Sequence, residues 1–68
     1  MTIVVNGKPM DVAEGLSVED LLRQLAIKRE YTAVAVNREV MPKTGYAAAR
    51  LCQGDRVEIV RPMGGGAR

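Results

Sequence analysis

The feature that most limits the fold of this chain is a single helical stripe set among short, β-branched segments. Four apolar residues recur at the i, i+3, i+4 and i+7 spacing of one helix face. They are Val18, Leu21, Leu22 and Leu25. Ser17 precedes them as an N-cap, and Asp20 stands three residues later, as in a variant of the capping box. The pattern predicts one helix of about ten residues, ending near residues 26–28.

Five segments carry strand patterns, and turn signals separate them. The predicted strands are residues 1–5, 8–12, 32–36, 40–41 and 56–60. Asn6-Gly7 joins the first two strands as a hairpin, and Pro9 indicates that the second strand is an edge strand or has an imperfect start. Signals in residues 43–53 are weak, and a short helical turn is expected within residues 46–51.

This order of elements predicts an α+β fold in which one helix covers one face of a mixed sheet of four to five strands. A right-handed crossover through the helix is expected to place the third strand parallel to a neighbour. Such a sheet, covered on one face and open on the other, is the β-grasp pattern. Residues 1–63 are predicted to form the β-grasp domain, and residues 64–68 a flexible, glycine-rich C-terminal tail.

Size and composition argue against an enzyme that works alone. A chain of 68 residues buries only about 60% of the surface that its unfolded form exposes. A small-molecule pocket of about 300–1,000 Å³ would hollow out so thin a core. There is no histidine to activate the single cysteine, Cys52, which is predicted to be a small, partly buried apolar residue rather than a nucleophile.

The charge pattern also disfavours nucleic-acid binding. The net charge is +2, but the basic residues are scattered along the chain among eight acids, and only two tyrosines are present. Nucleic-acid binders carry clustered basic residues, and single-strand binders add aromatic platforms. The start of the chain lacks the pattern of a signal peptide, and no apolar stretch approaches the roughly 18 residues of a membrane span. We therefore expect a cytoplasmic protein without a metal site.

The glycine run after the last strand is the strongest candidate for function. Gly64, Gly65 and Gly66 have no Cβ atoms, so their backbone can lie in a narrow slot that would exclude other residues. No Lys-Ser/Thr pair follows them, which argues against a phosphate-binding loop. The usual alternative for such a segment is a disordered terminus.

Five segments of the chain carry a family resemblance. They are Val4-Val5-Asn6-Gly7, Val18-Glu19-Asp20-Leu21-Leu22, Ala35-Val36-Asn37-Arg38-Glu39-Val40-Met41-Pro42, Gly54-Asp55-Arg56-Val57-Glu58-Ile59-Val60, and the glycine run. With these segments in this order, the chain resembles the ubiquitin-like sulfur carriers of thiamine biosynthesis, the ThiS family. The resemblance covers nearly the whole chain.

The resemblance implies a protein cosubstrate and not a catalyst. In this family an adenylyltransferase (ThiF-like) uses ATP to activate the terminal glycine carboxylate, and sulfur from a cysteine desulfurase converts it to a thiocarboxylate. A thiazole synthase (ThiG-like) then receives the sulfur. No cofactor is bound to the carrier, and no nucleic acid or membrane is involved.

Carried onto this chain, the resemblance implies that Gly64, Gly65 and Gly66 enter the partner and that Gly66 is modified. The chain continues with Ala67 and Arg68, so we expect these two residues to be removed first. The alternatives are that they are an artificial extension, or that this chain has lost the carrier role.

A partner-docking patch is predicted on the sheet face opposite the helix. Strand alternation turns one set of side chains away from the core. The predicted patch is Val4, Ala33, Ala35, Glu58 and Val60.

Three other functions fit the same fold. One is a carrier for another sulfur pathway, such as the small subunit of molybdopterin synthase. Another is a protein modifier joined through Gly66 to lysines. The last is a β-grasp interaction module with an inert tail.

Overall fold

The computed structural model describes residues 1–61, and this part of the chain contains one α-helix and five strands. The strands are β1 (Thr2–Val5), β2 (Lys8–Asp11), β3 (Ala33–Val36), β4 (Glu39–Met41) and β5 (Arg56–Val60), and the helix α1 spans Val18–Gln24. Two 3-10 turns lie at Arg29–Tyr31 and Lys43–Gly45. The α+β fold with a mixed sheet is therefore confirmed.

The sheet order is β2-β1-β5-β3-β4, which places the last strand at the centre. β1 and β5 are parallel, and all other neighbours are antiparallel. The expectation that the third strand has a parallel neighbour is wrong, because β5 inserts between the two hairpins and runs antiparallel to β3. The edge position indicated by Pro9 is confirmed, since β2 ends the sheet.

The core lies between one face of the sheet and α1. Strand alternation buries Ile3, Val34, Val57 and Ile59, and the helical stripe buries Val18, Leu21 and Leu22. Burying each such side chain contributes about 1.5–3 kcal/mol. Leu25, the fourth residue of the stripe, is half-buried against this core.

Tyr46 is the largest fully buried side chain, with 1% of its surface exposed. It follows the 3-10 turn at Lys43–Gly45, and the Ala49 N–H then bonds to the Gly45 carbonyl at 2.9 Å. The helical turn expected within residues 46–51 thus begins earlier than predicted. The local pattern did not reveal Tyr46 as a core residue, because its burial depends on packing against distant elements.

The two ends of α1 differ in how well the sequence predicted them. The Ser17 hydroxyl accepts the Asp20 N–H at 3.0 Å, so the predicted cap is confirmed. At the other end the helix is seven residues long and stops at Gln24, short of the expected 26–28.

The early stop follows from the backbone at Ala26, which has a φ of 58°. The Ala26 N–H bonds to the Arg23 carbonyl and the Ile27 N–H to the Leu22 carbonyl, at 3.1 and 2.8 Å. This is a Schellman cap, a motif that usually has glycine at the left-handed position. An alanine gives no such signal in the sequence, so the helix end was placed too late.

Candidate functional site

The strand that leads to the tail is held on both sides. The Val4 N–H bonds to the Asp55 carbonyl and the Asn6 N–H to the Val57 carbonyl, both at 2.9 Å. On its other side β5 pairs with β3 along its length, from Val36↔Val57 to Ala33↔Val60. The folded body therefore fixes the chain as far as Val60.

Asn6 holds the second half of β5 after β1 has ended. Residues Val4 and Val5 pair with the first half of β5, and the chain then turns back at Asn6-Gly7. The Asn6 side-chain oxygen accepts the Ile59 N–H at 2.8 Å, and Asn6 itself has a φ of 51°. Asparagine tolerates this left-handed conformation better than most residues. The sequence predicted the turn, but no local signal revealed the bond to Ile59.

The predicted docking patch lies on the sheet face away from α1, as alternation predicts. β5 exposes Glu58 and Val60 on this face, while Val57 and Ile59 are buried. In the β3–β5 register Ala33 faces Val60 and Ala35 faces Glu58. Val60 is 59% exposed, Ala33 is exposed, and Ala35 is half-buried.

The apolar part of this face differs in outline from the predicted patch. Val40 was missed: it is 75% exposed and lies opposite Ala35 in the β3–β4 register. Val4 is half-buried, and across the β1–β5 pair it faces Arg56, a cation. The contiguous apolar surface is thus Val40, Ala35, Ala33 and Val60, with Val4 beyond Arg56. We call Val40, Ala35, Ala33 and Val60 the open-face patch.

The predicted tail residues, Gly64, Gly65, Gly66, Ala67 and Arg68, lie outside the described residues. The nearest described residue is Arg61, which is exposed.

Cys52 is exposed, which corrects the expectation of a partly buried residue. It lies in the loop before β5, where the Asp55 carboxylate accepts its backbone N–H at 2.8 Å and orders the turn. Within residues 1–61 no group of three or more His, Cys, Asp or Glu could hold a metal ion. In the same region no helix has the length and apolar character needed to span a membrane.

Comparison with known proteins gives a consistent family match. The profile of the ThiS family matches residues 3–66. A sulfur carrier protein ThiS of Escherichia coli K12 is 30% identical over 66 residues, which cover 97% of this chain and 100% of the relative. A crystal structure of the thiamine biosynthesis protein ThiS from Geobacter metallireducens superposes with a TM-score of 0.86 at 42% identity, covering 97% of this chain and 100% of that one.

A further relative is much longer than this chain. A thiazole synthase of Paramagnetospirillum magneticum is 38% identical over 66 residues, which are 97% of this chain but only 20% of the relative. The chain therefore spans about a fifth of that protein's length.

Proposed function

The chain belongs to the ThiS family, and on that premise we propose that it is a sulfur carrier in thiamine biosynthesis. The observation that carries the proposal is the span of the family match, residues 3–66, which includes all but the first two residues of the described body and ends at Gly66. Ala67 and Arg68 fall outside that span. The chain acts as a protein cosubstrate in the cytoplasm, and its partners do the catalysis.

The chemistry takes place at the carboxyl group of Gly66, once Ala67 and Arg68 have been removed. The carboxylate attacks ATP on an adenylyltransferase and displaces pyrophosphate, which gives an acyl-adenylate. Sulfur leaves a cysteine desulfurase as a protein persulfide, whose terminal sulfur displaces AMP and forms an acyl disulfide. A thiol then cleaves the S–S bond, which releases the thiocarboxylate and leaves the thiol in a new disulfide. Adenylation is required because a carboxylate oxygen is a poor leaving group and AMP is a good one.

Thiazole synthase is the proposed acceptor of the sulfur. The support is the long thiazole synthase relative, in which a segment similar to this chain is part of the same polypeptide. Linking a carrier segment to its acceptor raises their effective concentration. This relative favours the thiamine pathway over a role with molybdopterin synthase.

The body and the tail have separate tasks in this proposal. An extended chain spans about 3.3 Å per residue, so residues 62–66 reach on the order of 15 Å into a partner. Ordering Gly64, Gly65 and Gly66 costs conformational entropy. The open-face patch, together with Glu58 and Val4, supplies the docking contacts that offset this cost. Val60 is the patch residue nearest to the tail along the chain, because it is exposed and directly precedes Arg61, the last described residue.

Three forms of the chain test the chemistry directly: the full chain, a chain that ends at Gly66, and a chain that lacks residues 64–68. Each is incubated with ATP, the adenylyltransferase and a sulfur donor, and its mass is then measured. Only the chain ending at Gly66 should gain the mass expected for replacing one oxygen by sulfur. A thiocarboxylate on intact Arg68 would refute the removal step.

Growth of a carrier-deficient strain without thiamine tests the role in the cell. The chain ending at Gly66 should restore growth, and the chain without residues 64–68 should not. Rescue by the shortened chain would favour an interaction module with an inert tail and overturn the proposal. Higher-mass conjugates on a denaturing gel would instead indicate a protein modifier.

A further inference from the structure

The end of the molecule from which the tail departs carries cations drawn from distant parts of the sequence. Lys28 and Arg61 line one shallow cavity of about 290 Å³, and Arg29 and Lys43 line a second of about 560 Å³. One short segment links the two cavities, because Lys28 and Arg29 are consecutive and the Lys43 ammonium donates to the Glu30 carbonyl at 3.1 Å. We call Lys28, Arg29, Lys43 and Arg61 the basic collar.

Carboxylates within the described residues neutralise the collar only in part. Arg29 lies 3.3 Å from a Glu19 carboxylate oxygen. No carboxylate of residues 1–61 lies within ion-pair distance of the charged groups of Lys28, Lys43 or Arg61. Glu30 lines the second cavity together with Arg29 and Lys43, so two acids, Glu19 and Glu30, lie near the four cations. The collar therefore remains net positive where the chain leaves the sheet.

The cavity lined by Lys28 and Arg61 has apolar and aromatic residues beside the two cations, together with Thr32. Ile27 and Tyr31 line it, and Tyr31 is 69% exposed. Ala26, with its positive φ, also lines it. Apolar side chains beside two cations fit a carboxylate on a short aliphatic stem, which is the chemistry of a glutamate side chain.

We propose that the basic collar docks against an acidic surface of thiazole synthase, around the opening that receives the tail, with Lys28 and Arg61 making the main contacts. This inference rests on the proposed function and concerns a surface separate from the open-face patch. A partner that takes in a tail of about 15 Å must also come close to the residues from which the tail starts. Charges there act within about one Debye length, roughly 8–10 Å at physiological salt, and so raise the association rate.

The test compares two double variants, each made in the chain that ends at Gly66. Lys28→Gln with Arg61→Gln removes two collar charges. Arg38→Gln with Arg50→Gln removes the same net charge elsewhere. The Arg50 guanidinium donates to the Gly15 carbonyl at 3.0 Å, and Arg38 lies in the β3–β4 turn. Thermal unfolding of both checks that the fold is retained.

Association and dissociation rates with thiazole synthase are measured at low and high salt. At low salt the collar variant should bind about 2- to 30-fold more weakly than the unchanged chain, as expected for two exposed ion pairs, and mainly through slower association. The control variant should stay within about twofold. High salt should reduce the difference between the variants.

Equal affinity and equal salt dependence of the two double variants would overturn the collar proposal. So would a loss confined to the adenylyltransferase, measured in parallel. Failure of the proposed function is a different result: the unchanged chain would itself fail to bind thiazole synthase or to transfer sulfur to it.

Discussion

Replacing Ala26 with glycine is expected to stabilise this protein, because Ala26 holds a backbone conformation that favours glycine. Its φ of 58° is left-handed, which costs a residue with a Cβ about 1–2 kcal/mol. Glycine adds about 0.4–1 kcal/mol of conformational entropy to be lost on folding. Ala26 is exposed, so removing its methyl group sacrifices little burial. The free energy of unfolding should therefore rise by about 0.5–1 kcal/mol.

Urea denaturation followed by circular dichroism measures this change. The Ala26→Gly midpoint should rise with an unchanged m-value, and Tm should rise by about 2–8 °C. The matched control is Ala48→Gly, at an exposed position whose φ is not positive. The free energy of unfolding of that variant should fall by up to about 1 kcal/mol, since glycine there adds its conformational entropy cost and relieves no backbone strain. If Ala26→Gly is destabilised as the control is, the assignment of strain to Ala26 is refuted.

Three further substitutions test other parts of the structure. Asn6→Gly should lower the unfolding free energy by about 1–3 kcal/mol, because the Ile59 N–H loses its acceptor while glycine still suits the φ of 51°; Asn6→Asp keeps an acceptor, and an equal loss in both variants would count against the bond. Tyr46→Ala should lower the unfolding free energy measured in urea by about 3–5 kcal/mol, a large share of the stability of a domain of this size. Val60→Glu should weaken binding to the adenylyltransferase by about tenfold or more, with the unfolding free energy changed by less than about 1 kcal/mol; unchanged affinity in a titration would remove Val60 from the docking surface.

Much of the fold could be predicted because its signals are local. The alternation in β5 predicted which side chains are buried, and the cap at Ser17 placed the start of α1. The predicted end of α1 was wrong, since Ala26 adopts a left-handed conformation that is typical of glycine and that an alanine in the sequence does not indicate. Strand patterns also carry no information about neighbours, so the parallel pairing was assigned to the wrong strand.

The candidate site could also be predicted only in part. The open face could be predicted from alternation, and Val60 stands there as expected. Val40 was missed because only the β3–β4 register shows that it lies opposite Ala35. The interpretation of scattered, solvated cations was reasonable for the sequence, in which Lys28 and Arg61 are far apart. The fold places both beside one cavity.

The sequence by itself determined the local structure. The hairpin at Asn6-Gly7, the helix cap and the two faces of the last strand each depend on residues that are close along the chain. Three features were decided only by the tertiary structure: the central place of β5, the bond between Asn6 and Ile59, and the position of Lys28 and Arg61 beside one cavity. The physical reason is that these contacts join distant residues, and their formation depends on strand order and packing, which no short segment encodes.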